Sequence, residues 1–320
     1  MSIRIGSRLI AAGAAVVLGL LFIACGRGNT SPAAAAQRHG DLLIAQETGL
    51  YLRDLGSGPE RLLIAAQNGQ RIINPAWAPD GSQFAYVLEV PAAGPSYSPG
   101  PPSDDLYVAD AIGQHVQLVL PHTEAGALVS GLSWTPDGKQ LIFTSVRSSG
   151  AQVRRLDLAS HNVSTVLDTD PGVVPCSTGA RLAYAGGDLR VTDAAGQADT
   201  QVATPAPNAL TEIRGVRFSP DCTRLVFEKF ERIIDNGPFR GHVQAQGTWS
   251  LWVVNADGTA PRQLQSLQTG QIPSSGWVWS RDGQALLSLN ADGLYRQPAD
   301  GGQQVRVGSG GSGEIAWRQR

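Results

Sequence analysis

A five-residue phrase recurs along the chain and constrains the fold more than any other feature. It reads Trp-Ala-Pro-Asp-Gly at 77–81, Trp-Thr-Pro-Asp-Gly at 134–138, Phe-Ser-Pro-Asp-Cys at 218–222 and Trp-Ser-Arg-Asp-Gly at 279–283. An apolar run follows each copy. Because Pro presets φ, Asp bonds the backbone ahead and Gly accepts a positive φ, the phrase predicts a strand, a tight turn and a second, buried strand.

When a degenerate copy at 175–179 and the aromatic Trp317 are included, the copies are spaced by roughly 40 residues, with two longer intervals of roughly 60. After the turn at 134–138 come an apolar run at 141–143 and two more strand patterns, at 153–157 and 163–167. Four strands in a repeat of this length are typical of a β-propeller blade. The degenerate copy, Pro-Cys-Ser-Thr-Gly at 175–179, keeps only the glycine of the turn.

Five copies begin complete blades, and the two ends of the chain supply the pieces of a sixth. Residues 314–317 read as a first strand with no turn after it, whereas 42–45, 50–54 and 61–64 read as second, third and fourth strands with no first. Pairing the ends closes the ring and removes its exposed edges. The chain is therefore predicted to be all-β, a six-bladed β-propeller closed by pairing the C-terminal strand with the N-terminal blade.

This repeat resembles that of TolB-type β-propellers, which are related to the WD-repeat propellers. The resemblance covers residues 41–320. It implies a domain that binds a partner at the mouth of the central channel.

The N-terminus resembles a bacterial lipoprotein signal. Arg4 and Arg8 precede an uncharged, mostly apolar stretch at 9–24, and Cys25 follows directly. We expect a signal peptide at 1–24, lipid on Cys25, and a flexible tether at 25–40 that is rich in Ala, Gly, Ser and Pro. The alternative is an uncleaved anchor, although the stretch is shorter than the ~20 residues that span a bilayer comfortably. Both interpretations place the propeller outside the cytoplasmic membrane, in the periplasm or at the cell surface.

Charge excludes one class of partner. The chain has 25 Lys and Arg against 27 Asp and Glu, with no basic stripe, so nucleic-acid binding is not expected. Of the three cysteines, Cys176 and Cys222 fall in the first-turn region of consecutive blades. In an oxidising compartment they are candidates for a disulfide; otherwise they are two unpaired, partly buried thiols.

Motifs of enzymatic chemistry are missing from the sequence. It contains no Gly-x-Ser-x-Gly, His-Glu-x-x-His or phosphate-loop pattern, and the histidines at 39, 115, 122, 161 and 242 are scattered. The turn aspartates are interpreted as backbone acceptors, and Trp77, Trp134 and Trp279 as packing residues. No catalytic residue, metal or cofactor is predicted. The inner-strand positions are apolar or basic (Ala76, Trp77, Ser133, Trp134, Val216, Arg217, Val278 and Trp279).

Two insertions break the repeat. Both lie between second and third strands, at 89–104 in the first complete blade and at 228–248 in the fourth. In a six-bladed ring these blades are opposite each other, and the two loops would flank one channel mouth. Since loops on a rigid scaffold often carry binding residues, the candidates for partner binding are Phe230, Arg232, Asp235, Phe239, Arg240, His242 and Tyr97.

The sequence thus favours a non-enzymatic, monomeric, membrane-tethered propeller that binds an envelope protein or glycan. The competing hypothesis is a propeller enzyme with a site in the central channel, lactonase-like or sugar-dehydrogenase-like. A third is a sensory or structural subunit that works beside a transporter or kinase.

Overall fold

The computed structural model describes residues 41–318 except 56–57, 68, 93–100, 125, 170–171, 186–187, 196, 205–208, 236–241, 244–246 and 268–275. Within these residues the regular elements are 25 β-strands, arranged in six sheets. No helix in this part of the chain is long and apolar enough to cross a membrane.

Each sheet is one blade, and the blades are numbered by the order of the repeat copies. In blades 1 to 5 the strands are given from the inner to the outer edge. Blade 6 combines β1 (Asp41–Gln46), β2 (Gly49–Asp54) and β3 (Arg61–Ala65) with β25 (Glu314–Arg318). Blade 1 contains β4 (Arg71–Trp77), β5 (Gln83–Val90), β6 (Ser103–Asp110) and β7 (Gln117–Leu120). Blade 2 contains β8 (Leu128–Trp134), β9 (Gln140–Arg147), β10 (Gly150–Asp157) and β11 (Val163–Thr169).

The remaining blades follow the same order. Blade 3 contains β12 (Val174–Pro175), β13 (Arg181–Ala185), β14 (Leu189–Asp193) and β15 (Thr200–Ala203). Blade 4 contains β16 (Ala209–Phe218), β17 (Arg224–Asp235), β19 (Thr248–Asn255) and β20 (Arg262–Leu267), and the short β18 (His242–Val243) pairs with β17 outside this order. Blade 5 contains β21 (Trp277–Trp279), β22 (Ala285–Leu289), β23 (Leu294–Pro298) and β24 (Val305–Gly308).

The ring closes through the two ends of the chain, as predicted. Strand β25 pairs antiparallel with β1, from Asp41 opposite Arg318 to Ala45 opposite Glu314. The inner strands β4, β8, β12, β16, β21 and β25 each contact the inner strands of both neighbouring blades. The six-bladed propeller predicted from the complementary ends is confirmed.

Apolar side chains fill the seams between blades. The described residues form six buried clusters, one at each seam. At the seam of blades 1 and 2, for example, Val87 and Leu106 pack with Leu141 and Phe143, all fully buried. The second strand of each repeat supplies many of these residues, which explains why the sequence shows an apolar run after each turn.

The repeat tryptophans also join neighbouring blades. Trp134 Nε1 donates to the Ala76 carbonyl at 3.0 Å, and Trp279 Nε1 donates to the Arg217 carbonyl at 3.2 Å. Both indole rings are buried. Each therefore packs in the core while it binds the inner strand of the preceding blade, in agreement with the packing role predicted for them.

The five-residue phrase forms the same turn in every complete blade. In blades 1, 2 and 5 the amide of Gly81, Gly138 or Gly283 donates to the carbonyl three residues before it, and the Asp side chain accepts from the amide two residues ahead of it. The aspartates thus serve as backbone acceptors, as predicted.

Blade 3 forms the same turn, although its sequence keeps only the glycine of the phrase. Gly179 donates to the Cys176 carbonyl at 2.8 Å, which is the same turn bond. Thr178 Oγ1 accepts from the Ala180 amide at 3.2 Å and replaces the missing carboxylate. Threonine hydroxyls form the same local turns as aspartate, although more weakly, so the fold keeps the turn where the sequence departs from the phrase.

A bulge recurs three residues before the repeat aromatic. The residue there has a positive φ: 49° at Asn74, 62° at Gly131, 63° at Gly215 and 68° at Gly276. In β4, β8 and β16 the pairing register shifts at this point. A bulge bends a strand locally, and the residues that follow it, such as Ser133 and Arg217, line the centre of the ring.

Candidate ligand-binding channel

The centre of the ring holds a cavity of about 470 Å³. Its walls are the later halves of the inner strands, and its rim is formed by turn residues including Pro79, Pro136, Ser177 and Pro220. The cavity therefore opens on the face that carries the repeat turns, called here the turn face. The second-to-third-strand connections, which include both insertions, lie on the opposite or insertion face, since each second strand runs back from the turn.

The cavity wall is rich in aromatic rings. It includes five of the seven tryptophans of the chain and Phe218 (the tryptophans are Trp77, Trp134, Trp277, Trp279 and Trp317). The indole nitrogens of Trp77, Trp277 and Trp317 are buried and have no hydrogen-bond partner among the described residues. Aromatic walls of this kind suit a ligand that combines apolar surface with a few polar groups.

Three arginines and one glutamate supply the charge of the cavity. Arg217, Arg281 and Arg318 come from blades 4, 5 and 6, which are consecutive in the ring, and Glu314 comes from blade 6. Charge is thus concentrated on one half of the wall, whereas the turns of blades 1, 2 and 3 present Pro79, Pro136 and Ser177. The cavity is net cationic although the chain as a whole has a formal charge of −2.

Arg318 and Glu314 already have partners within the protein. Arg318 Nη1 donates to the Gly81 carbonyl at 2.5 Å, and its guanidinium lies 4.2 Å from the centre of the Trp77 ring. Glu314 Oε2 accepts from the Asn74 amide at 2.5 Å, across the seam between blades 6 and 1. These two residues therefore help to close the ring.

Arg217 and Arg281 have no such partners. Neither forms an ion pair with any of the described residues, and the one hydrogen bond of the Arg217 side chain is a long contact of 3.5 Å to its neighbour's carbonyl. The Arg217 side chain is exposed to the water of the channel. Desolvation by the surrounding walls lowers the pKa of Arg217, and the charge of Glu314 opposes this effect. Because guanidinium groups stay protonated in proteins, both charges remain in the cavity. The carboxylates of Glu314 and Asp80 act on Arg217 and Arg281, respectively, without forming a close ion pair with them.

Sequence reasoning found part of this wall. Ala76, Trp77, Ser133, Trp134, Arg217, Val278 and Trp279 line the cavity as predicted, whereas Val216 packs into the seam of blades 3 and 4. Arg281 and Arg318 were missed. The signal for Arg281 was visible, because it stands where the other complete phrases carry proline.

The second insertion is largely strand where a loop was predicted. β17 continues from Arg224 to Asp235 and pairs with β16, β19 and the short β18, so blade 4 extends as a sheet on the insertion face. Phe230 packs on Trp249 with ring centres 5.0 Å apart, and Arg214 lies 3.8 Å from the centre of the Trp249 ring. Arg232 lies 5.7 Å from the Phe230 ring. This extension is held by its own side chains.

The other candidates for partner binding are placed only in part. Asp235 pairs with His242 in the β17–β18 ladder. Tyr97, Phe239 and Arg240 lie outside the described residues, as does Cys25. The structure brings Phe230 and Arg232 together but leaves them on the face opposite the mouth of the cavity.

The histidines of the described segments form local contacts. His115 Nδ1 lies 2.8 Å from Asp110 Oδ2, and His122 Nδ1 lies 2.8 Å from Asp105 Oδ1. Among the residues whose placement is described, no group of three or more His, Cys, Asp or Glu could hold a metal ion.

Asp104 is a buried carboxylate on the insertion face. Its Oδ2 accepts from the Val129 amide at 2.7 Å across the seam of blades 1 and 2, while its Oδ1 has no described partner. Burial raises the pKa of Asp104 to about 6; the nearby charges of Glu89 and Asp105 act in the same direction, while the Val129 amide and His122 oppose them. Between about pH 4 and pH 6, therefore, the Asp104 carboxyl is protonated in the folded protein and ionised in the unfolded chain.

We expect Asp104→Asn to be more stable than the wild type at pH 7 to 8, by at most about 3 kcal/mol. The amide oxygen keeps an acceptor for Val129 and removes the buried charge. The advantage should shrink as the pH falls through about 6 and disappear near pH 4. Urea unfolding at several pH values measures it, with the exposed Asp168→Asn as a control. If Asp104→Asn is less stable than the wild type by the same amount at every pH, the raised pKa of Asp104 is contradicted.

Comparisons with known proteins identify the fold. A scan against protein-family models gives no match, and a search of curated proteins gives none. Among solved structures, TolB from Acinetobacter baumannii is similar with a TM-score of 0.56 and 15% identity, over 88% of this chain and 67% of that one.

Two further solved structures are similar to this chain. Oligogalacturonate lyase from Vibrio parahaemolyticus gives a TM-score of 0.51 at 11% identity, over 84% of this chain and 74% of that one. A chain of the Nidogen/Laminin complex gives 0.50 at 12% identity, over 87% and 98%. The chain thus shares the propeller fold of TolB, a fold that also occurs in an enzyme and in a chain of a protein complex.

Proposed function

We propose that this protein is an extracytoplasmic, membrane-tethered propeller that binds an envelope protein by receiving an acidic segment of it in the turn-face cavity. The observation that carries the proposal is the pair of guanidinium groups of Arg217 and Arg281, which form no ion pair with the described residues, in a tryptophan-lined cavity. The tether is supported by the Arg4–Arg8, apolar and Cys25 pattern of the N-terminus.

The charges favour an anionic ligand. Two exposed cations in a concave site, with no ion pair among the described residues, can bind an anionic ligand in place of water. A carboxylate that bonds a guanidinium forms the stronger, charge-assisted type of hydrogen bond. Since the whole chain is weakly acidic, the sign of the cavity is a local property and not a consequence of composition.

The shape favours a short segment. A volume of about 470 Å³ lies within the range of roughly 300–1,000 Å³ that is usual for ligand sites. It accommodates a few residues of an extended peptide, with acidic side chains toward blades 4 and 5 and apolar ones against the indoles. The rest of the partner would lie on the rim formed by the turns.

A titration followed by tryptophan fluorescence tests the proposal, because five of the seven tryptophans line the cavity. We expect hexaglutamate to change the fluorescence saturably and hexalysine not to. Binding should weaken as salt rises, since ion pairs at an open mouth are screened. A dissociation constant of about 1 mM corresponds to a binding free energy of about 4 kcal/mol. If hexaglutamate gives no saturable change in fluorescence up to this concentration, the proposal is rejected.

A second candidate is an enzyme that acts on an acidic sugar in the same cavity. It is favoured by the cationic wall together with the fold shared with an oligogalacturonate lyase. Oligogalacturonate in place of hexaglutamate distinguishes the two. Binding of the sugar followed by cleavage products in the mass spectrum would support the enzyme, whereas binding of the peptide without turnover of the sugar supports the binding module.

A further inference from the structure

The two cysteines of blades 3 and 4 meet at the seam between these blades. Cys176 is fully buried and Cys222 is 7% exposed. The Thr178 hydroxyl contacts both sulfurs, at 3.0 Å from Cys176 Sγ and 3.6 Å from Cys222 Sγ, and Ser177 Oγ lies 3.5 Å from Cys222 Sγ. Neither thiol is in a disulfide in the structure.

Cys222 occupies a strained backbone position. Its φ is +60°, where the same turn of blades 1, 2 and 5 has Gly81, Gly138 and Gly283. An L side chain is disfavoured in this left-handed region. The sulfur of this strained residue reaches across the seam to the Thr178 hydroxyl, which also contacts Cys176 Sγ, so the two sulfurs lie on either side of one hydroxyl.

We propose that Cys176 and Cys222 form a reversible disulfide that joins blades 3 and 4 beneath the rim of the cavity. The position under the rim follows from Ser177 and Pro220, which both line the cavity and are linked by a hydrogen bond from Ser177 Oγ to the Pro220 carbonyl at 3.0 Å. The bond would brace the part of the rim next to Arg217.

Exchange with a small-molecule disulfide accounts for all atoms and electrons. The neighbouring Cys222 thiol lowers the pKa of Cys176, so Cys176 ionises first. Its thiolate attacks one sulfur of the small disulfide and expels a small thiolate, which takes up a proton. Cys222 then loses its proton and attacks Cys176 Sγ, which expels the second small thiol. Two protein thiols are oxidised, and one small disulfide is reduced to two thiols.

Thiol mapping tests the crosslink. The full chain carrying Cys25→Ser, so that only the two thiols remain, is equilibrated folded with oxidised and reduced glutathione, acid-quenched, unfolded, alkylated and digested. We expect one linked peptide pair that contains Cys176 and Cys222, lost on treatment with dithiothreitol. Cys222→Ser and Cys176→Ser should instead give a glutathione adduct or a free thiol on the remaining cysteine. Two free thiols, or stable glutathione adducts, in the chain that keeps both cysteines would overturn the proposal.

Stability gives a second, independent measurement. The crosslink closes a loop of about 45 residues, so the unfolding equilibrium constant should fall roughly a thousandfold on oxidation. Cys222→Gly, which relieves the positive φ and removes the thiol, should show no response to the redox buffer. An oxidised protein that unfolds at the same or a lower urea concentration than the reduced one would show that the native seam does not accommodate the bond.

Discussion

A chain that ends at Gly313 is expected to lose cooperative folding. The deletion removes β25, the inner strand of blade 6, and leaves one edge of β1 unpaired along Asp41–Ala45. Ile315 and Ala316 are buried, and Leu42, Leu43 and Ile44 behind them are fully buried in the intact ring. β25 also contacts the inner strands of both neighbouring blades. The lost burial costs more than about 5 kcal/mol, which is comparable to the whole stability of a typical domain.

Circular dichroism during urea unfolding measures this effect. A chain that ends after Arg318, and so lacks only the last two residues, is the matched control and should unfold like the full chain. An unchanged, cooperative transition in the chain that ends at Gly313 would show that the ring does not depend on its closing strand.

Removal of the two free guanidinium groups is expected to abolish recognition of an acidic segment. Each charged hydrogen bond contributes about 1.5–3 kcal/mol, so Arg217→Gln with Arg281→Gln should weaken hexaglutamate binding at least about 100-fold. Neither side chain packs in a seam or forms an ion pair with the described residues, so the melting temperature should change little. Arg318→Gln is a different case, because Arg318 bonds Gly81 and stacks on Trp77 and its loss should lower stability.

An affinity loss in the double variant without loss of stability would separate a binding role from a structural one. Equal affinity of the wild type and the double variant would remove the basis for assigning the cavity wall to an anionic partner.

The ring could be predicted from sequence because the information is repeated. The turn of 77–81 recurs in three other places. The strands at 42–64 and the strand at 314–317 are complementary parts of one blade. A single substitution does not hide such a pattern. The failure in blade 3 is local: Thr178 replaces an aspartate through one hydroxyl hydrogen bond, and a pattern that requires Pro-Asp-Gly does not recognise this equivalence.

The candidate site was harder to predict because it is made by residues far apart in the chain. Arg217, Arg281 and Arg318 belong to three blades, and only closure of the ring places them on one half of the wall. The insertion at 228–248 was predicted to be a loop, which is wrong for much of its length. Its length suggested a loop, but Phe230 packs against Trp249 where β17 extends to Asp235. The insertion lies on the face opposite the repeat turns, whereas the described cavity opens on the turn face.

The measurement that most directly tests the turn-face cavity as the binding site is the ratio of hexaglutamate affinities of Arg281→Gln and Arg232→Gln. Both variants lose one positive charge, so a nonspecific electrostatic effect is the same for each. Arg281 lies at the mouth of the cavity, whereas Arg232 lies beside Phe230 on the insertion face. We predict that Arg281→Gln binds at least about tenfold more weakly while Arg232→Gln binds like the wild type. Equal losses in both variants, or a loss confined to Arg232→Gln, would contradict the assignment of binding to the cavity.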